Sequence, residues 1–235
     1  MKCGLCHQDV PKLSRSHIIP RALMLYGRQK EDKAPLLLMP ADQDKRVVRN
    51  QNGIYSEIVC PKCEASFQQG DEALIGLCRD HDKGVHPRLE DGSVAAGVWA
   101  YPGLENHALH RGVLTTLYRA HLSPHDLFKH VDLGDYHAER LRQTLLTAEP
   151  TDLSDYQVVL RVVPTLDGSV IASPFREKWD GVNAYRFYFP HITAFVKVDR
   201  QPFKSEFRIG RLGALSHPHA IVADRVSPSE WRMLG

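Results

Sequence analysis

Residues 1–20 read MKCGLCHQDVPKLSRSHIIP, and residues 54–64 read IYSEIVCPKCE. Cys3-Gly4-Leu5-Cys6 and Cys60-Pro61-Lys62-Cys63 are two C-x-x-C pairs, each a turn that aims two thiolates at one cation. Four thiolates complete a tetrahedral zinc site, so Cys3, Cys6, Cys60 and Cys63 are expected to hold structural Zn²⁺. The interval from residue 7 to residue 59 is longer than the roughly 15–20 residues of a compact zinc ribbon. Metal binding would therefore clamp everything between the pairs. Cys3-x-x-Cys6-His7 also fits the haem-attachment string, but no export signal precedes it. A thioredoxin-like redox pair needs a βαβ setting that residues 1–20 lack.

The rest of the chain narrows the class. Of 235 residues, 43% are hydrophobic and 25% charged, which argues against disorder, collagen and coiled coil. No apolar run approaches the roughly 18 residues that cross a bilayer. The chain opens on Met1-Lys2-Cys3 rather than on an apolar leader. The expectation is a cytoplasmic protein with reduced thiols and no membrane partner. Cys78, outside both pairs, reads as a small buried apolar residue.

Periodicity supplies the elements. Residues 64–77 read as one helix with Phe67, Ala73, Leu74 and Leu77 inward, although Gly70 and Gly76 weaken it. Residues 80–103 read as an irregular connection. Helices are expected over 104–122 and 135–146, with Ser123 capping a short helix that starts at Pro124. His107, His110, His121 and His125 then read as partly exposed helix histidines.

From Tyr156 the period falls to two, giving strands at 156–163, 169–172, 182–189, 192–198 and 203–209. Asp167-Gly168 and Asp180-Gly181 mark turns, and Ser227-Pro228-Ser229-Glu230 is a capping box for a last helix. The fold class is α+β: a zinc-bound N-terminal module (1–78), a loop and helical region (79–150), and an antiparallel β-rich region (151–235).

Inside the clamp lie Ser14-Arg15-Ser16-His17-Ile18-Ile19-Pro20, a long loop, and Asn50-Gln51-Asn52-Gly53. The order C-x-x-C, H-I-I-P, asparagine loop and C-x-x-C opening a helix resembles the HNH endonucleases of the ββα-metal type, over about residues 1–78. The resemblance implies that a β-hairpin presents His17 as general base. The following helix would present ligands for a catalytic Mg²⁺ or Mn²⁺. The chemistry suits phosphodiester hydrolysis, which needs a base for water and a cation for the phosphoryl oxygens. Imidazole titrates near neutral pH and fits the first task.

The chain departs from the pattern at two positions. Ser16 stands where the family has Asp, Glu or His, and Glu64 stands where it has His. Glu64, with Asn52, is the expected ligand set for the divalent ion. Asn52-Gly53 fits a plain hairpin turn equally well. Asp71 lies seven residues beyond Glu64, on the same face but roughly 10 Å farther along a continuous helix, so without a bend it would not share the ion and is expected to support the site from behind or to lie at the surface.

Charge is uneven. Residues 1–63 carry 11 basic against 6 acidic side chains, residues 64–155 are acidic, and residues 156–235 carry 11 against 7. The basic stretches 12–21 and 28–49 would meet DNA phosphates in a salt-dependent way. In the sheet region Tyr188 and Phe195 would stack on bases beside Arg186 and Lys197, or else belong to a half-buried sheet with a solvated charged face. Three functional expectations follow: a metal-dependent DNA endonuclease, the same enzyme requiring an activating protein subunit, or an inactive zinc-stabilised module that binds nucleic acid or a partner.

Overall fold

The computed structural model describes residues 1–26, 36–39, 46, 48–50, 52–147, 153, 156–163, 170–179, 181–199, 201 and 210–222. Strand β1 (Ser14–His17) leads to the short helix α1 (Arg21–Met24), then β2 (Leu36–Met39), β3 (Val48–Asn50) and β4 (Tyr55–Val59). Helices α2 (Pro61–Ala65) and α3 (Gln68–Arg79) follow, then β5 (Val98–Ala100) and the long helix α4 (Asn106–Leu122). A 3-10 turn at Asp126–Phe128 precedes α5 (Gly134–Leu146). The remainder is β6 (Val158–Val162), β7 (Val170–Ala172), β8 (Phe175–Trp179), β9 (Val182–Phe189), β10 (Ile192–Lys197) and β11 (His219–Val222).

The fold is α+β. β1 and β4 form an antiparallel hairpin beside the cysteine pairs. The main sheet has the order β5-β11-β6-β10-β9-β8, antiparallel except for the β11–β6 pair. A third sheet, β3-β2-β7, joins residues 36–39 in parallel to residues 170–172. The expected strands at 203–209, the Asp167-Gly168 turn and the last helix at Ser227 lie outside the described residues.

Four expectations are corrected. The single helix over 64–77 is two helices, α2 and α3, parted at Ser66–Phe67. There the amides of Ser66 and Phe67 donate three residues back, to Cys63 and Glu64, and the Ser66 hydroxyl also takes the Cys63 carbonyl at 2.7 Å. A hydroxyl that competes for a helix carbonyl tightens and turns the chain.

The irregular connection contains β5, which forms an edge of the main sheet. The short helix after α4 starts later than Pro124 and is capped by the His125 ring, which accepts from the Leu127 amide. Ser123 instead accepts from the His125 amide. Of the helix histidines, His110 is wholly buried, and its Nε2 donates to the Tyr156 carbonyl.

The charged-face reading of the sheet also gives way. All six residues of β10 are buried. Tyr188, Phe195, Arg186 and Lys197 are all buried too, so none of them forms a platform for nucleic acid. Arg186 makes a bidentate pair with Glu177 and lies over Phe175 and Phe195. Lys197 donates to the Asp199 carbonyl. Buried cations of this kind persist because each is paired.

Helix α4 is the spine that joins the parts. From Gly112 to Ala120 every residue is buried, and the helix packs on α3, α5 and β10. Its crossing with α3 is exceptionally close. A Cβ on Gly112 would lie 2.3 Å from the Gly70 carbonyl oxygen, and one on Gly70 would lie 2.6 Å from the Gly112 nitrogen. Only hydrogen fits between these backbones. Among the described residues no helix is long and apolar enough to cross a membrane.

Candidate metal centre and the adjoining cavity

The first C-x-x-C folds as a knuckle. The His7 amide donates to the Cys3 carbonyl at 2.9 Å, and His7 takes a positive φ of 59° to let the chain turn away. The Gly4 amide donates to the Ile58 carbonyl of β4 at 2.8 Å. A side chain at Gly4 would strike that oxygen.

The second pair opens α2. Cys60 sits at its N-cap in extended conformation, Pro61 occupies the first turn, and Cys63 follows one turn on. The Cys60 amide donates to Cys3 Sγ at 3.2 Å. The result is four Sγ atoms all within 4.8 Å of one another. In a tetrahedral zinc–thiolate site the sulfurs stand about 3.8 Å apart, given Zn–S bonds of about 2.3 Å. The donor set therefore fits structural Zn²⁺, as the spacing of the pairs implied.

The thiols are not alike electrostatically: Cys3 is lowered, whereas Cys6 and Cys63 are raised, chiefly by burial. Burial alone pushes the Cys3 thiol up, but hydrogen bonds from the Cys6, Cys60 and Leu5 backbone outweigh it and bring the group down to about 7. Burial and the neighbouring thiols push Cys63 upward, a cost that a divalent cation removes. Cys78 is wholly buried and lies apart from the cluster, in the core.

Two side chains from the helical region grip the knuckle. Tyr118 of α4 donates its hydroxyl to the Gly4 carbonyl, and Arg142 of α5 donates to the Leu5 carbonyl, each at 2.8 Å.

Beside this centre is an open cavity of about 370 Å³ lined by His17, Arg21, Glu64, Asp71 and Arg119 among others. β1 and β4 place His17 opposite Tyr55. Strand alternation sends the neighbouring Ser16 to the other face, where it is wholly buried and its hydroxyl has no partner among the described residues. Ser16 supplies no ligand to the cavity.

Glu64 follows the last cysteine of the cluster. Its Oε2 is buried and unpartnered among the described residues. A carboxylate oxygen withheld from both water and donors is costly unless something cationic takes it. Glu64 and Asp71 are carboxylates of the cavity wall, and only the cysteine cluster gathers three or more metal-ligating groups among the described residues.

His17 is half-buried, and its pKa lies below the ordinary 6.5. Burial is the main cause, and the positive charges of Arg21 and Arg119 act in the same direction. The Asn52 backbone hydrogen bond and Glu64 pull the other way without prevailing. The ring is held neutral, able to accept a proton.

Asn52 reaches the site by its backbone, while its side chain is on the exposed turn. That turn is built by Asn50, whose Oδ1 accepts from the Asn52 and Gly53 amides at 2.8 Å each. Gly53, with φ of 80°, completes it.

Asp71, on α3 beyond the helix break after Ala65, lines the cavity wall together with Glu64. Asp71 is held by Arg119 of α4 in a bidentate pair, with Nη2–Oδ1 at 2.6 Å and Nη1–Oδ2 at 3.0 Å. Arg119 is 1% exposed and lies over Phe67. It is the residue that reading the sequence missed. The signal was the pair Gly70 and Gly112, each one residue from or two turns before the ion pair on its own helix.

Comparison of the chain with protein families, with curated proteins and with solved structures finds no match in any of the three.

Proposed function

We propose that this protein is a metal-dependent endonuclease of HNH type that hydrolyses phosphodiester bonds of DNA. One observation supports this above the rest: His17, held neutral, and Glu64, whose Oε2 has no partner among the described residues, line one open cavity, and Glu64 directly follows the last cysteine of the four-cysteine cluster.

His17 takes a proton from water, and the resulting hydroxide attacks phosphorus as the bond to the leaving oxygen breaks. The Asn52 backbone hydrogen bond fixes the ring so that its other nitrogen receives the proton. Glu64 would hold Mg²⁺ or Mn²⁺, which supplies positive charge for the phosphoryl and leaving oxygens. Arg21 lines the cavity near His17 and offers a phosphate contact. Cys3, Cys6, Cys60 and Cys63 keep α2, and so Glu64, in place against the hairpin.

The test is nicking of supercoiled plasmid by zinc-loaded protein with Mg²⁺ or Mn²⁺. His17→Ala is expected to slow nicking by about 10²–10⁴-fold, the usual worth of a general base, with zinc content unchanged. Glu64→Gln should demand far more metal. No cleavage of DNA or RNA with any divalent ion, or equal rates for His17→Ala, would overturn the reading.

The pH dependence has a definite sign. A base whose folded pKa is depressed stays active below the ordinary histidine range and loses activity only as it is protonated. The acid limb of kcat/KM against pH is therefore expected to have its midpoint below 6.5. A midpoint above that value would exclude His17, in this environment, as the base.

A further inference from the structure

The hairpin that delivers His17 has a second exposed feature. Strand alternation puts Arg15, His17, Tyr55 and Glu57 on one face, while Ser16 and Ser56 are buried on the other. In the register Arg15 lies directly across from Glu57. Its guanidinium instead sits over the Tyr55 ring, 3.8 Å from the centroid. Tyr55 is 40% exposed, the most exposed aromatic of the hairpin, and Arg15 is exposed as well. The Tyr55 ring is 6.0 Å from the His17 ring, tilted by 58°.

An aromatic ring and a guanidinium plane, both facing water, form a surface of high π character with a positive charge. Folding gains little from leaving a tyrosine so open. A nucleobase gains by stacking on such a pair, and does so with little regard to sequence. Duplex DNA hides its base faces, so only an unpaired base can use the surface.

We infer that Tyr55 and Arg15 form a stacking site for an unpaired base of a nucleic-acid strand, placed one side chain away from His17. The base continues the Tyr55–Arg15 stack, and the adjoining phosphate enters the cavity toward His17 and Arg21. Glu57, exposed across from Arg15, disfavours phosphate at that end of the hairpin. This inference rests on the nuclease reading for what happens at His17, and it narrows the substrate to single-stranded or locally unpaired nucleic acid.

The experiment is fluorescence anisotropy of labelled oligothymidylate, oligouridylate and a blunt duplex with zinc-loaded protein, in buffer free of divalent ions and of chelators. Tyr55→Ala is expected to weaken single-strand binding by roughly ten- to a hundredfold, the worth of one base–aromatic stack. Duplex binding should change less than about twofold. Tyr55→Phe should bind like the wild type, and Arg15→Ala should lose both affinity and part of the salt dependence.

The two oligonucleotides show whether DNA or RNA is preferred, and either preference supports the site. Both substituted side chains are exposed, so zinc content and thermal stability should stay unchanged. Equal losses on single strand and duplex, or no loss with Tyr55→Ala, would overturn the inference. Wild type that nicks plasmid yet binds no single strand would overturn it while leaving the nuclease reading intact.

Discussion

Stripping zinc from the purified protein is expected to melt the hairpin and α2 and to lower the melting temperature by ten degrees or more. Cys3 is wholly buried, and Cys60 and Cys63 nearly so. Without a cation, four thiol groups crowd one another in a space that pushes Cys63 toward its neutral form. Structural zinc binding is worth about 10–16 kcal/mol at neutral pH, as much as the whole stability of an ordinary domain.

Cys60→Ala should have the same effect as chelation, because three thiolates and a water do not close a structural site. Elemental analysis is expected to find one zinc per chain. Re-addition of zinc should restore the transition. A melting temperature indifferent to zinc would show that the four sulfurs serve no cation.

Replacing Asp71 with asparagine is expected to cost about 3–5 kcal/mol, because it leaves the Arg119 guanidinium buried without its counter-charge. Arg119 is 1% exposed and its Nε has no partner among the described residues, so little else compensates it. For a chain of this length the shift in melting temperature is on the order of 10 °C. The double variant Asp71→Leu with Arg119→Met should recover much of the loss, since buried ion pairs are often replaceable by apolar side chains that fit. Urea denaturation of the two variants checks both statements. A loss below about 1 kcal/mol for Asp71→Asn would mean that solvent reaches the pair through the cavity and screens it.

The four-cysteine cluster was legible because C-x-x-C turns carry their geometry locally: spacing alone points both sulfurs the same way. The strands β9 and β10 were legible from alternation for the same reason, whereas the pairing around His17 was expected only from the family resemblance. The break between α2 and α3 was not, because it depends on one hydroxyl competing for the Cys63 carbonyl. Arg119 was invisible because the burial of a cation depends on where its helix crosses another. Gly70 read as a flaw in a helix, and only the crossing shows it meeting Gly112. The buried charges of the sheet, Arg186 and Lys197, misled for a related reason: alternation tells which side chains share a face, not whether that face meets water. The pairing of β2 with β7 joins segments so far apart that no local pattern marks it.

Neighbouring residues of α4 reach opposite ways, Tyr118 to the cysteine knuckle and Arg119 to the wall of the cavity. The first seventy-odd positions, which look self-sufficient in sequence, are thus braced from outside. Anyone trimming this polypeptide to a minimal working piece must carry the cut beyond α5, since Arg142 holds the same knuckle. A fragment that ends before α4 would present the seam of α3 to water and invite clumping rather than catalysis.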